Sequence, residues 1–142
     1  MPYREKIAWL SLAGMAVCYG PYFVLSHGSS LLDQPLPNFG LMALFAGAAG
    51  ANALWNLLGR LLLRTTTPRD ERGPADERDQ AVDRRANTVA YYVLIGCTLY
   101  VGCYLPFISS GWHIVNATIA SVIIVECLRY ALIVLGHRRG LR

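Results

Sequence analysis

The sequence is poor in charge. Only 15% of its 142 residues are Asp, Glu, Lys or Arg, whereas 54% are hydrophobic. A soluble globule of this length needs more polar surface than this to cover its core. The chain has the length of one domain, and we predict a single membrane domain over residues 1–142.

The sequence signatures of common catalytic sites are also missing. There is no P-loop, no His-Glu-x-x-His pair and no Gly-x-Ser-x-Gly elbow. Polar side chains of the kinds that catalyse reactions are scattered singly along the chain. We therefore predict that the protein is not an enzyme.

Four long apolar runs are present instead, at residues 7–26, 39–63, 88–108 and 112–135. As helices that rise about 1.5 Å per residue, they are long enough to cross a hydrocarbon core of about 30 Å. The buried helices of a soluble bundle would each need a polar face, which these runs mostly lack. The sequence predicts an all-α fold, a four-helix transmembrane bundle, with residues 64–87 as its one long loop.

Cysteine and histidine patterns exclude two classes of membrane protein. The four cysteines lie within the apolar runs and form no Cys-x-x-Cys pair, so a thiol-oxidising enzyme is not indicated. A four-helix cytochrome needs histidines that face each other inside the bundle, and the sequence offers none. A weak metal site from His27, Asp33 and His113 is the remaining option. We predict no metal and no cofactor.

The distribution of basic residues predicts the orientation. The loops at 27–38 and 109–111 contain no Lys or Arg, and all thirteen basic residues lie toward the other side. The positive-inside rule then places both termini and the long loop in the cytoplasm. The net charge of +4 follows from this topology and from contact with anionic lipid headgroups, so we predict the lipid bilayer, and no nucleic acid, as a partner.

The end of the long loop has the charge order of a helix start. Acidic residues come first, after Pro74, and arginines follow, as the helix dipole favours. We predict a short helix that begins near Ala75 and continues into the third span. It is either a solvated extension beside the lipid or a docking surface for a cytoplasmic protein. The candidate docking residues are Asp76, Glu77, Arg78, Asp79, Arg84 and Arg85.

Three short tracts carry a family resemblance. They are YREKIAW at the start, PYF near the end of the first span, and DERDQAVDRRANTVAYYVL before and within the third span. Together they resemble small bacterial four-span membrane proteins of unknown function. The resemblance implies a bacterial inner-membrane location and no particular activity.

Glu126 is the most unusual residue, because it lies within the fourth apolar run. A carboxylate at mid-bilayer must be protonated or paired. Helix two offers Asn52, Asn56 and Arg60, which are four residues apart and share one face. We predict that Glu126 faces the two asparagines, with Arg60 or Arg129 as its charge partner. An intrahelical Glu126–Arg129 pair is the alternative.

A second face of helix two carries small residues at three- and four-residue spacing. Such residues allow close helix contact in lipid, either within one subunit or between two. We predict a homodimer that uses this face. The small residues are Gly40, Ala43, Gly47 and Ala51.

Two functional classes follow from these patterns. In the first, the protein is a non-catalytic inner-membrane component that senses a ligand or docks a cytoplasmic partner. In the second, it is a small proton-coupled transporter that uses Glu126. We expect the ligand- or proton-binding residues, in either class, to be Glu126, Arg129, Asn52, Asn56 and Arg60.

Overall fold

The computed structural model describes residues 3–28, 30–35, 37–68, 77–109 and 111–139. Its four long helices are α1 (Tyr3–Gly28), α2 (Phe39–Thr66), α3 (Glu77–Leu99) and α4 (Trp112–Arg139). Shorter pieces are a 3₁₀ turn at Ser30–Asp33, a π-helical segment at Tyr100–Tyr104 and a 3₁₀ turn at Leu105–Phe107. The predicted all-α four-helix fold is confirmed.

Local chemistry fixes where the helices begin. The Asn38 side chain accepts a hydrogen bond of 3.0 Å from the backbone N–H of Leu41 and so caps α2. Gly111 has a φ of +59°, a conformation that favours glycine, and it immediately precedes α4. The described part of α3 begins at Glu77 and runs without a break to Leu99, which confirms that the loop helix and the third span are one helix.

The helices pack in the order α2, α1, α4, α3, so α1 and α4 form the central pair. At the end that carries the starts of α1 and α3, Ala8, Ala86 and Ile133 belong to one apolar cluster. We call this the basic end, because Arg4 lies there. At the opposite end, α1, α2 and α4 meet in a cluster that contains Tyr22, Leu41 and Trp112.

Glycines set the close approach of α1 and α2. A Cβ placed on Gly14 would lie 2.5 Å from Trp55 Cδ1, and one placed on Gly59 would lie 2.5 Å from Leu10 Cδ1. Each glycine therefore receives a large side chain from the facing helix. The Trp55 indole N–H also donates a hydrogen bond of 3.0 Å to the Leu10 carbonyl oxygen.

The outer surface of the four helices is apolar along most of its length. Val24, Leu58, Leu62, Tyr92 and Phe107 are among the large hydrophobic side chains that are more than half exposed. In water such a surface would associate, whereas in a bilayer it contacts lipid. All four helices are long and apolar enough to cross a membrane, as in a multi-pass membrane protein.

Candidate functional site

A network of ion pairs joins three helices at the basic end. Arg4 of α1 lies between two carboxylates of α3, with its Nε 3.5 Å from Asp79 Oδ2 and its Nη1 3.2 Å from Asp83 Oδ2. Asp79 and Asp83 are four residues apart and so lie on one side of α3. The start of α3 is therefore attached to α1 by its acidic side.

A second ion pair links α1 to the end of α4. The Arg138 Nε donates a hydrogen bond of 3.2 Å to Glu5 Oε1. Glu5 is only 3% exposed, and the Arg138 guanidinium lies 5.5 Å from the centroid of the Trp9 ring. A carboxylate so buried requires a charge partner, and Arg138 provides it.

His137 connects α4 to the acidic side of α3. Its Nδ1 donates to the Ile133 carbonyl oxygen at 2.8 Å, because a carbonyl oxygen can only accept. Its Nε2 lies 3.2 Å from Asp79 Oδ1, but no partner among the described residues has hydrogen-bond geometry toward that buried nitrogen. The contact with Asp79 is therefore electrostatic, and it is attractive when the ring carries its second proton.

The candidate docking residues divide into two groups. Asp79 and Asp83 face the bundle, where both lie within ion-pair distance of Arg4. Asp79 also lies close to His137. The other group points away from the bundle and is exposed, and we call it the outward face of α3. It consists of Glu77, Arg78, Arg84 and Arg85. Asp76 lies outside the described residues.

The predicted contact between Glu126 and helix two is wrong. Glu126 pairs with Arg129 on its own helix, at 3.2 Å between Arg129 Nη1 and Glu126 Oε2. The asparagines instead face α1, because α2 packs along α1 rather than along α4. Arg60 lies exposed on α2. The intrahelical alternative describes the arrangement correctly.

The two asparagines form a chain of hydrogen bonds with a hydroxyl of α1. The Ser11 hydroxyl donates to Asn56 Oδ1 at 2.9 Å, and Asn56 Nδ2 donates to Asn52 Oδ1 at 3.2 Å. Ser11 is almost fully buried. A hydrogen bond between helices within the hydrocarbon region stabilises their association by about 1 kcal/mol. These residues therefore hold α1 against α2.

The small residues of α2 lie away from the packed side of that helix. Gly40, Ala43, Gly47 and Ala51 are all exposed, and no described atom lies within 4 Å of a Cβ placed on Gly47. The contacts that α2 makes within the subunit include those of Gly59 and Phe45. Among the described residues, this face therefore makes no close contact within the subunit at Gly47.

The opposite end holds a second set of polar contacts. The Tyr22 hydroxyl donates to Asn116 Oδ1 at 2.8 Å, and Asn116 Nδ2 lies 3.5 Å from His27 Nε2. His113 Nε2 lies 3.1 Å from Asp33 Oδ1. Among the described residues, no group of three or more His, Cys, Asp or Glu side chains is arranged to hold a metal ion.

Sequence reasoning missed the ion-pair network of the basic end. A usable signal was present, because the predicted topology places the starts of α1 and α3 and the end of α4 on the same side of the membrane. Both signs of charge then lie at the same depth, in YREKIAW, DERDQAVD and the tail HRR. Opposite charges at one level on adjacent helices are expected to pair.

Comparisons with known proteins add no assignment. No protein-family profile, no curated protein and no solved structure matches the chain.

Proposed function

We propose that the protein is a non-catalytic component of the bacterial inner membrane that docks a cytoplasmic partner through the outward face of α3. Both termini and the basic end then lie in the cytoplasm. The absence of Lys and Arg from residues 27–38 and 109–111 supports this orientation. The resemblance of YREKIAW and the tract before the third span to bacterial four-span proteins supports the location.

One observation carries the docking proposal: one side of the α3 start is acidic and paired with Arg4, and the other side is mostly basic and exposed. Asp79 and Asp83 are drawn toward Arg4, whereas Arg78, Arg84 and Arg85 are exposed. Three arginines and one glutamate on a helix fixed to the bundle favour a partner with an acidic surface. Because α3 continues into the membrane, such a partner would be held close to the inner leaflet.

A photoreactive amino acid in place of Arg84 tests this proposal in intact cells. We expect it to form a covalent adduct with a discrete cytoplasmic protein, because Arg84 lies on the outward face. The same amino acid in place of Tyr92, which is exposed two turns further into the span, should form no such adduct. If position 84 reacts only with lipid, the α3 start is a solvated extension and the docking proposal fails.

Proton-coupled transport remains the second candidate because of Glu126. Its side chain is 37% exposed in the middle of α4, where a carboxylate that exchanges protons would have to be accessible. Pairing with Arg129 at 3.2 Å opposes this role, because the carboxylate is already engaged by a charge partner on its own helix. A transporter would produce proton-coupled flux in sealed vesicles of pure protein, and Glu126→Gln would abolish that flux.

The proposed assembly is a homodimer. The exposed small-residue face of α2, Gly40 to Ala51, is one candidate contact surface, since such faces allow close approach of two helices in lipid. The exposed face of α4 around Glu126 is the other candidate.

A further inference from the structure

The middle of α4 presents charge where lipid would surround a single subunit. Glu126 lies about 13 residues, or roughly 20 Å, from the last residue of α4, Arg139, at the basic end. The side chains of Glu126 and Arg129 are 37% and 33% exposed, respectively. An ion pair in hydrocarbon is costly even when its members are paired, and further polar contacts reduce that cost.

The guanidinium of Arg129 also retains unused donor capacity. Its Nη1 donates to Glu126, and its carbon lies 4.8 Å from the centroid of the Tyr130 ring. Its Nε is buried, so a second copy can reach only the donors on the two Nη nitrogens. A guanidinium has five donors, so it can bind a second carboxylate while it keeps the first.

The exposed face of α4 continues from this pair toward the opposite end. Val115 and Val122 are 40% and 49% exposed, and together with Arg129 they are spaced seven residues apart. Glu126 lies four residues after Val122, on the same side. A seven-residue spacing on one side of a helix is the pattern by which two helices pack along each other.

We infer that this face of α4 is the contact between two copies of the chain, and that Glu126 of each copy pairs with Arg129 of the other. The inference rests on the proposed homodimer and names its contact surface. In a dimer with its two-fold axis along the membrane normal, residues of the two copies lie at equal depth. Arg129 is only about 4.5 Å nearer the basic end than Glu126, a distance that its long side chain spans.

The face is complementary to itself, which favours a second copy over another partner. A two-fold axis brings each carboxylate to a guanidinium and each guanidinium to a carboxylate, so four charges neutralise one another. The intrahelical pair of each copy is kept, and the contact removes exposed charge from lipid.

Two mixtures of tagged proteins test the inference. In the first, a Glu126→Gln copy with one tag is produced together with an Arg129→Gln copy with another. Neither copy has its intrahelical pair, but the mixed dimer keeps one pair between copies. We expect the association constant of the mixed dimer to be about tenfold higher than that of a dimer of two identical variants, which corresponds to about 1.4 kcal/mol.

The second mixture uses proteins whose intrahelical pairs are intact, so folding is not at issue. Wild-type protein is combined with the double variant Glu126→Arg, Arg129→Glu. Each should associate with itself, whereas mixed dimers should be depleted by about tenfold. In a mixed dimer, position 126 of one copy and position 129 of the other, which contact each other, carry the same charge.

The outcomes separate the inference from the homodimer proposal on which it rests. If wild-type copies with different tags do not co-purify from mild detergent, the homodimer proposal itself fails. If they co-purify but both mixtures associate at random, the Glu126–Arg129 pair is purely intrahelical and the inference is wrong. If both mixtures associate at random and Gly47→Leu abolishes the dimer, the contact lies on the small-residue face of α2 instead.

Discussion

Gly14→Leu is expected to separate α1 from α2 and to lower the free energy of unfolding by about 1–3 kcal/mol or more. A Cβ at this position would lie 2.5 Å from Trp55 Cδ1 and 2.9 Å from Asn52 Oδ1. The indole cannot yield without losing its hydrogen bond to the Leu10 carbonyl oxygen. The measurement is thermal or denaturant unfolding in mild detergent.

Gly20→Leu is the matched control, since it makes the same change on the same helix. No described atom lies within 4 Å of a Cβ placed on Gly20. Its effect on unfolding should be within about 0.5 kcal/mol. Equal losses for the two variants would mean that leucine disturbs α1 itself and that Gly14 is not a contact point for α2.

Arg138→Met should destabilise the protein by about 3 kcal/mol, whereas Glu5→Gln should cost about 1 kcal/mol or less. The asymmetry follows from burial. Glu5 is 3% exposed, so loss of Arg138 leaves a buried carboxylate without its partner. Loss of the Glu5 charge leaves Arg138, whose side chain is 59% exposed and remains solvated.

The double variant Glu5→Gln, Arg138→Met provides the control for this pair. It should recover most of the stability that Arg138→Met loses, because no buried charge remains. Unfolding of all three variants in one detergent gives the comparison. If Arg138→Met and Glu5→Gln were equally costly, the pair would not be as buried on the Glu5 side as its geometry indicates.

Helix positions could be predicted from the sequence because hydrophobic length is a local property. Runs beginning at residues 39 and 112 gave the starts of α2 and α4, and the acidic first turn indicated a helix before the third span. The membrane requires each span to satisfy its own backbone hydrogen bonds, so few alternatives to long helices exist.

Contacts between helices were harder to predict, and the error at Glu126 shows why. The prediction rested on depth, which places Asn52, Asn56 and Glu126 at similar levels when residues are counted from the helix ends. Depth does not say which helices are neighbours, and α1 lies between α2 and α4 in the packing order. Gly14 and Gly59 were the available signal for an α1–α2 contact. They can be assigned to one contact only when it is already known that α1 and α2 are neighbours.

We infer that α3 is held to the bundle by its acidic side and thereby presents the outward face. Hydrogen exchange of the amides at 77–86 tests it most directly. Arg4→Ala removes two half-exposed ion pairs of up to about 1 kcal/mol each, so exchange there should accelerate about tenfold. Amides at 88–99 should be unaffected.

Arg78→Ala, which removes the same charge from the outward face, should leave exchange at 77–86 unchanged. Equal acceleration by Arg4→Ala and Arg78→Ala, or none by either, would contradict the account.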